Sequence, residues 1–310
     1  MNKKTYLIEK AEKGLTIQQY LKQIAGFSNA QIRSMKFTEN GICLGGQRTR
    51  VTTGLSEGDV LEVLLETKNS SSAHLLSFEQ MPDILYEDAD VIAVNKPAGM
   101  AVHPSHGHYQ DTLANQLAYY FRKNTQQVEI HSIGRLDLET SGIVLFAKHR
   151  AAAARLSRQR EDGRLQKTYL AICSGIFAEK NGTLNGAIAP LPGSLMKMCV
   201  SKDGKPAVTH YQVQKQYMEA ALVQLTLETG RTHQIRVHMA DAGHPLIGDR
   251  LYFADTDQKA DVDAENCFTG IKRAALHASR ICFYQPFEGK RITVEAPFPE
   301  DMKKCLFRDE

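Results

Sequence analysis

Six cysteines, Cys43, Cys173, Cys199, Cys267, Cys282 and Cys305, are spread along 310 residues, and no two of them form a C-x-x-C pair. That spacing argues against a structural zinc site and against a disulfide framework. Reduced thiols in a reducing compartment are the expectation. No apolar run approaches membrane-spanning length. The opening MNKKTYLIEKAEKG has a basic start but no apolar centre, so it does not read as a signal peptide. A cytoplasmic protein without a membrane partner is predicted. Charge of one sign is also lacking: 38 Lys and Arg against 35 Asp and Glu leave a formal +3. Such a balance neither demands nor excludes a polyanionic partner, and the clustering of the basic residues decides. With 42% hydrophobic and 24% charged residues, disordered and fibrous classes are out. The length suits one large domain with a small one, or two of middling size.

The clearest seam is TKNSSSAHLLS at 67–77, polar and serine-rich as flexible linkers are. The predicted division is residues 1–66, a linker at 67–80, and a larger unit at 81–310. In the first unit GLTIQQYLKQIAG carries Leu15, Ile17, Tyr20, Leu21 and Ile24 at helical spacing, and SNAQIRSMKFTENG starts on a Ser28 cap and ends at Gly41. ICLGGQRTRV and LSEGDVLEVLLE read as strands with turns. The helix pair, the hairpin from Asn40 to Gly46 and the E-G-D-V-L-E-V ending at 57–63 resemble the small RNA-binding fold of ribosomal protein S-four. That resemblance implies a basic RNA face made of Arg33, Lys36, Arg48 and Arg50, which would otherwise read as an ordinary solvated face.

After the seam, strand-like segments dominate. DILYEDADVIAVNKPAGM gives two short strands joined at 87–90, and QKTYLAICSGIF, VTHYQVQKQY, AALVQLTLETG and ITVEAPF are rich in β-branched and aromatic residues. Helices are expected at DTLANQLAYYF behind an Asp111 cap, and at RAAAARLSRQREDG, which stops at Gly163. The helices are interspersed irregularly rather than in a βαβ rhythm. The predicted class is α+β, a catalytic domain on a largely antiparallel mixed sheet with flanking helices.

Three segments could carry chemistry. In SIGRLDLETSGIVLFAKH, Arg135 and Asp137 stand at the mouth of an apolar strand, with Glu139 on the same parity. Taken alone this is a surface ion pair at a strand edge. In TLETGRTHQIRVHMADAGHPLIGD, Thr232 is the expected cap of a helix from about His233 to Ala242. Arg231, His233 and Arg236 crowd its first turn, where the helix dipole disfavours cations, so an anion nearby would explain them. His233, His238 and His244 lack the H-E-x-x-H spacing of a zinc helix, and no metal is predicted. In RLQKTYLAICSG, Tyr169 is core filling, a stacking surface or a proton handler, and nothing local decides.

Together VNKPAGMAVHP, GRLDLETSGIVLFAK, KTYLAICSG, TGRTHQIRVHMADAGHPLIGD and LHASRICFYQP, in this order from about Asp83 to the C-terminus, resemble the RluA-type pseudouridine synthases. The resemblance implies an RNA-modifying isomerase without cofactor or metal, the pseudouridine synthase fold, and base flipping. It implies Asp137 as nucleophile, Tyr169 against the target uracil, and Arg236 paired with Asp137. Arg135 would hold the RNA backbone near the flipped nucleotide, and Arg231, His233 and Lys96 complete the substrate-binding set. Ribosomal RNA is the expected substrate ahead of transfer RNA, and a monomer is expected. Leu138, Lys197-Met198 and Gln285 depart from the usual pattern, which bears on substrate preference rather than on the catalytic groups. The rival reading is a non-catalytic RNA-binding protein on the same scaffold. A nucleoside hydrolase would need a second acid, and Glu139 is the obvious candidate.

Overall fold

The computed structural model describes residues 3–65, 75–105, 107–253 and 271–306. Most of the expected linker, and Cys267, lie outside the described residues. At the N-terminus β1 (Lys3–Leu7), β2 (Ile42–Leu44), β3 (Gln47–Arg48) and β4 (Val60–Leu64) form an antiparallel sheet in the order β1-β4-β2-β3. Helices α1 (Ile17–Gln23) and α2 (Asn29–Phe37) cover it. Both helices open on capping boxes, Thr16 with Gln19 and Ser28 with Gln31, which satisfy backbone amides at each helix start. α2 stops at Phe37 rather than near Gly41, because Thr38 returns to extended backbone and Asn40 turns left-handed. β1 is not legible in the sequence; its lysines sit on a sheet edge, where charge discourages pairing with another chain.

This small unit is docked against the large one. Ala151 joins its buried core and Phe287 packs on it. The Arg155 guanidinium lies 4.0 Å from the Phe287 ring centre and 5.1 Å from that of Phe27, and donates to the Pro286 carbonyl at 2.7 Å.

The large unit contains β5 (Asp83–Glu87), β6 (Val91–Lys96), α3 (Leu113–Lys123), β7 (His131–Ser132), β8 (Ser141–Ala147), α4 (Arg150–Glu161) and β9 (Gln166–Ser174). It continues with β10 (Asn181–Asn185), β11 (Ile188–Pro190), β12 (Met198–Val200), β13 (Val208–Gln216), β14 (Ala220–Leu227) and α5 (Gln234–Asp241). β15 (Leu276–Tyr284), β16 (Arg291–Glu295) and α6 (Glu300–Leu306) complete it. One sheet runs β10-β13-β14-β9-β15-β8-β6-β5, with β16 beside β15 and β7 beside β8. Among the described residues all its pairings are antiparallel except β15 with β8. Helices flank this sheet, so the class is α+β, as expected. β11 and β12 form a separate ribbon.

β8 shows why the sheet has two covered faces. All seven of its residues are buried. Val144 and Phe146 enter the core shared with Leu113, Leu117 and Phe121 of α3, whereas Ile143 and Leu145 enter the one shared with Leu156 of α4. A strand buried on both sides reads as a continuous apolar run, which is its sequence signature. Its second residue must be glycine: Gly142 has φ +107°, and a Cβ there would fall 2.3 Å from the Ala278 carbonyl oxygen of β15. The cap of α3 is Thr112, not Asp111; Thr112 exchanges bonds with Asn115, while Asp111 accepts from or shares a proton with His108 at 2.7 Å.

Candidate active site

β8 delivers Asp137. After β7 the chain leaves the sheet through Gly134, buries Leu136 in the main core, turns over Asp137–Thr140 and re-enters at Ser141. The turn closes with the Thr140 amide donating to the Asp137 carbonyl at 3.1 Å. The next carbonyl, of Leu138, accepts from the Gly99 amide at 2.8 Å and from Lys96 Nζ at 3.2 Å. Asp137 is thus held between a buried anchor and a clamped carbonyl, with its side chain about one-fifth exposed.

Lys96, expected in the substrate-binding set, serves inside the fold as a structural clamp. It is fully buried, and its Nζ also donates to the carbonyls of Pro97 at 2.9 Å and Met100 at 2.8 Å. Burial, with Arg273 nearby, pushes its pKa down to about 7, while three carbonyl oxygens suit the three hydrogens of an ammonium.

Arg236 on α5 faces the turn. Its Nε and NH2 donate to the two carboxylate oxygens of the wholly buried Asp249 at 2.6 and 2.7 Å, a two-bond fork. Its NH1 lies 3.9 Å from Asp137 Oδ2, and NH2 lies 3.9 Å from Glu139 Oε2. The expected pairing with Asp137 is therefore the longer contact, and the anion that accounts for this cation at the helix start is Asp249. Burial works against the arginine's charge, but the bond and the attraction to Asp249 outweigh it and hold its pKa above the ordinary value. The spacing of Arg236 and Asp249, thirteen residues along α5 and the loop after it, carries no periodic signal.

The start of α5 is unlike the expectation. Its N-cap is His233, not Thr232, and His233 adopts left-handed backbone with φ 55° and makes no side-chain cap. For a residue with a Cβ this costs about 1 kcal/mol, and such strain collects where surrounding contacts over-determine a side chain. Here Gln234 supplies them, donating to Val208 O and Thr209 Oγ1 and accepting from the Arg231 amide. His233 Nε2 reaches to 4.0 Å from Asp137 Oδ2, and its Nδ1 sits 2.9 Å from the Tyr252 hydroxyl. Burial lowers the His233 pKa, against the pull of Asp137. His238 and His244 are engaged elsewhere, His238 with Thr209 and Gly186, His244 with Ser174.

Tyr169 lies on β9 in the main core, its ring buried. Burial, and then the negative charge of Asp137, push its pKa up, so its hydroxyl keeps its proton at neutral pH. Arg135 is exposed and makes no ion pair with Asp137. Arg231 is exposed too, its Nε donating to the Pro206 carbonyl at 3.1 Å. Arg33 and Lys36 line one surface hollow of about 360 Å³ on the small unit, with exposed Phe37 at its wall. Arg48 is exposed and donates to the Lys36 carbonyl. Gln285 touches no group around Asp137: it donates to buried Asp90 and caps the turn at Phe287 and Glu288. Asp249 and Tyr252 carry no signal in the sequence, because only folding brings them to Arg236.

The turn, the fork and the buried tyrosine are arranged within a chain that matches the RNA pseudouridylate synthase family model over residues 90–241. The uncharacterized RNA pseudouridine synthase YjbO of Bacillus subtilis is 36% identical over 293 residues, covering 94% of this chain and 98% of that one. Ribosomal large subunit pseudouridine synthase D of Neisseria meningitidis serogroup A is 38% identical over 85% of this chain and 67% of its own length. The solved human RNA pseudouridylate synthase domain containing 1 superimposes with a TM-score of 0.57 at 26% identity, over 77% of this chain and 90% of that one. With relatives this similar over most of its length, the chain belongs to the RluA-type RNA pseudouridine synthases.

Proposed function

We propose that this enzyme isomerises uridines of ribosomal RNA, with Asp137 as the nucleophile and the target base flipped out of its stack. One observation carries the reading: the Asp137 carboxylate is part-exposed on a clamped turn, 3.9 Å from a guanidinium that a buried carboxylate holds in place. The reaction breaks the bond from N1 to C1′ and forms one from C1′ to C5, while the C5 proton is lost and N1 gains one. No electrons enter or leave. An ionised carboxylate beside the sugar or the base is the group such a glycosidic detachment needs.

A uridine within folded RNA hides these atoms, so the nucleotide must leave its stack to meet Asp137. In this reading Tyr169 lies along the uracil and Arg236 faces Asp137 with positive charge. Arg135, exposed beside the turn, takes the phosphate backbone of the extruded nucleotide, and Arg231 and His233 add to the substrate-binding set. Residues 1–66 serve as an S-four-like RNA-binding domain through Arg33, Lys36 and Arg48, residues 67–80 join it to the catalytic domain at 81–310, and the protein acts as a cytoplasmic monomer. The name of the Neisseria relative favours ribosomal over transfer RNA.

RNA labelled with tritium at uridine C5, extracted from cells that lack the protein, tests the reading. Asp137→Asn is expected to release no tritium above background while still retaining RNA on a filter. Wild-type release by this variant overturns the role of Asp137. Products of unchanged mass mark isomerisation, and free uracil would mark hydrolysis. Mapping pseudouridine in total RNA with and without the protein identifies the RNA.

A further inference from the structure

Tyr252 is buried, and it touches three parts of the site at once. Its hydroxyl oxygen accepts the Met198 amide hydrogen at 2.9 Å and lies 2.9 Å from His233 Nδ1. Its ring lies 5.2 Å from the Arg236 guanidinium and meets the His233 ring edge-on.

The protons around this oxygen can be counted. An amide N–H only donates, so Met198 occupies one lone pair of the hydroxyl and leaves the tyrosine's own hydrogen to be placed. Among the described residues the only acceptor within hydrogen-bond reach of that hydrogen is His233 Nδ1. Had His233 carried its proton on Nδ1 instead, the buried Tyr252 O–H would find no acceptor among the described residues. A neutral His233 therefore holds its hydrogen on Nε2, the atom 4.0 Å from Asp137 Oδ2.

We propose that Tyr252 is a positioning residue that locks the tautomer of His233, so that an N–H donor rather than a bare lone pair faces the carboxylate of Asp137. The inference rests on the reading of Asp137 as the reacting group. In the other tautomer the imidazole would turn its lone pair toward a carboxylate oxygen, and the site would lose a donor beside its nucleophile. Among the described residues, the charged and titratable groups around the ring are Asp137 on the turn, Arg135 just before it, Arg236 on the helix, Asp249 in the loop after it, and Tyr252. Met198, on the β11–β12 ribbon, fixes the hydroxyl from the far side, so the ribbon and the helix start are joined through one oxygen atom.

Tyr252→Phe keeps the ring over Arg236 and removes only the hydroxyl. Protein labelled with ¹⁵N in its histidines shows the tautomer directly in long-range ¹H–¹⁵N spectra, with His233→Gln used to assign the signal. The wild-type ring is expected to be Nε2-protonated, and the Tyr252→Phe ring to populate both forms. Single-turnover tritium release from C5-labelled total RNA is expected to fall about 10- to 100-fold, the scale on which a misplaced group acts, while retention of that RNA on a filter stays as in wild type. An Nδ1-protonated ring in the wild type overturns the proposal, and so does a Tyr252→Phe rate within about twofold of wild type. The wild-type spectrum decides the tautomer even if the variant fails to fold. It also stands apart from the fate of Asp137→Asn: an active Asp137→Asn would refute the nucleophile and leave the tautomer as measured.

Discussion

Asp249 grips Arg236 through two charge-assisted bonds of 2.6 and 2.7 Å and leaves only NH1 to face Asp137, at 3.9 Å. The arginine is fixed by Asp249, so Asp137 need not commit its own oxygens to holding it. Asp249 also accepts the amides of Leu251 and Tyr252, which ties the loop after α5 to the same carboxylate.

Removing that grip should be costly. Asp249→Ala leaves a buried guanidinium without its main partner, and breaking a buried pair in this way destabilises by roughly 3–5 kcal/mol. Denaturant unfolding of the variant checks this, and tritium release should fall with it. A loss below about 1 kcal/mol, the scale of an exposed ion pair, would show that solvent reaches the fork.

Lys96→Met keeps the length of the side chain and removes the three donated bonds. The carbonyls of Pro97, Met100 and Leu138 lose their partner, and a loss of about 3 kcal/mol is expected from orphaned buried acceptors. Isomerisation should drop because Leu138 adjoins Asp137, and filter retention of RNA should not. Weakened RNA retention with unchanged stability would restore Lys96 to the RNA surface.

His277 makes stability depend on pH. Its Nδ1 shares a hydrogen bond with Ser141 Oγ at 2.9 Å, and burial together with Arg273 pushes its pKa down to about 4 from an ordinary 6.5. Between those values the unfolded chain binds the proton and the folded chain does not. Stability is therefore greatest above about pH 6.5 and falls as the pH drops toward 4, by on the order of 3 kcal/mol from this group. Unfolding free energies at pH 7 and pH 4.5 measure the fall, and His277→Gln should make it shallower. An equal slope in the variant would assign it to other groups.

Arg155 should couple the two sheets. Arg155→Ala removes the cation from between Phe27 and Phe287. Hydrogen exchange is expected to quicken at Leu61 and Val63 of β4 while Val144 and Leu145 of β8 keep their protection. Unchanged protection at β4 would mean that apolar contact alone holds the small unit.

The parts written locally are open to reading in the chain itself. The Ser28 cap and the helix behind it follow from a Ser and a Gln three apart. β8 follows from an apolar run ended by Lys148, and the turn before it from Thr-Ser-Gly, although Ser141 and Gly142 belong to the strand. β1 is illegible because two lysines and alternating exposure give a short edge strand little apolar signal, and β11 and β12 because three residues show no period.

By itself, the sequence determined the family through the order of its motifs and the α+β class through its strand-rich pattern, and the resemblance pointed to Asp137, Tyr169 and Arg236 as candidate groups. Local patterns survive in sequence because capping, strand burial and turns act over a few neighbouring residues. Only the tertiary structure decided that Lys96 is buried among carbonyls, that Arg236 answers first to Asp249, and that Tyr252 meets His233. Those pairings join segments far apart in the chain, and whether a charge is buried depends on what the rest of the chain packs over it.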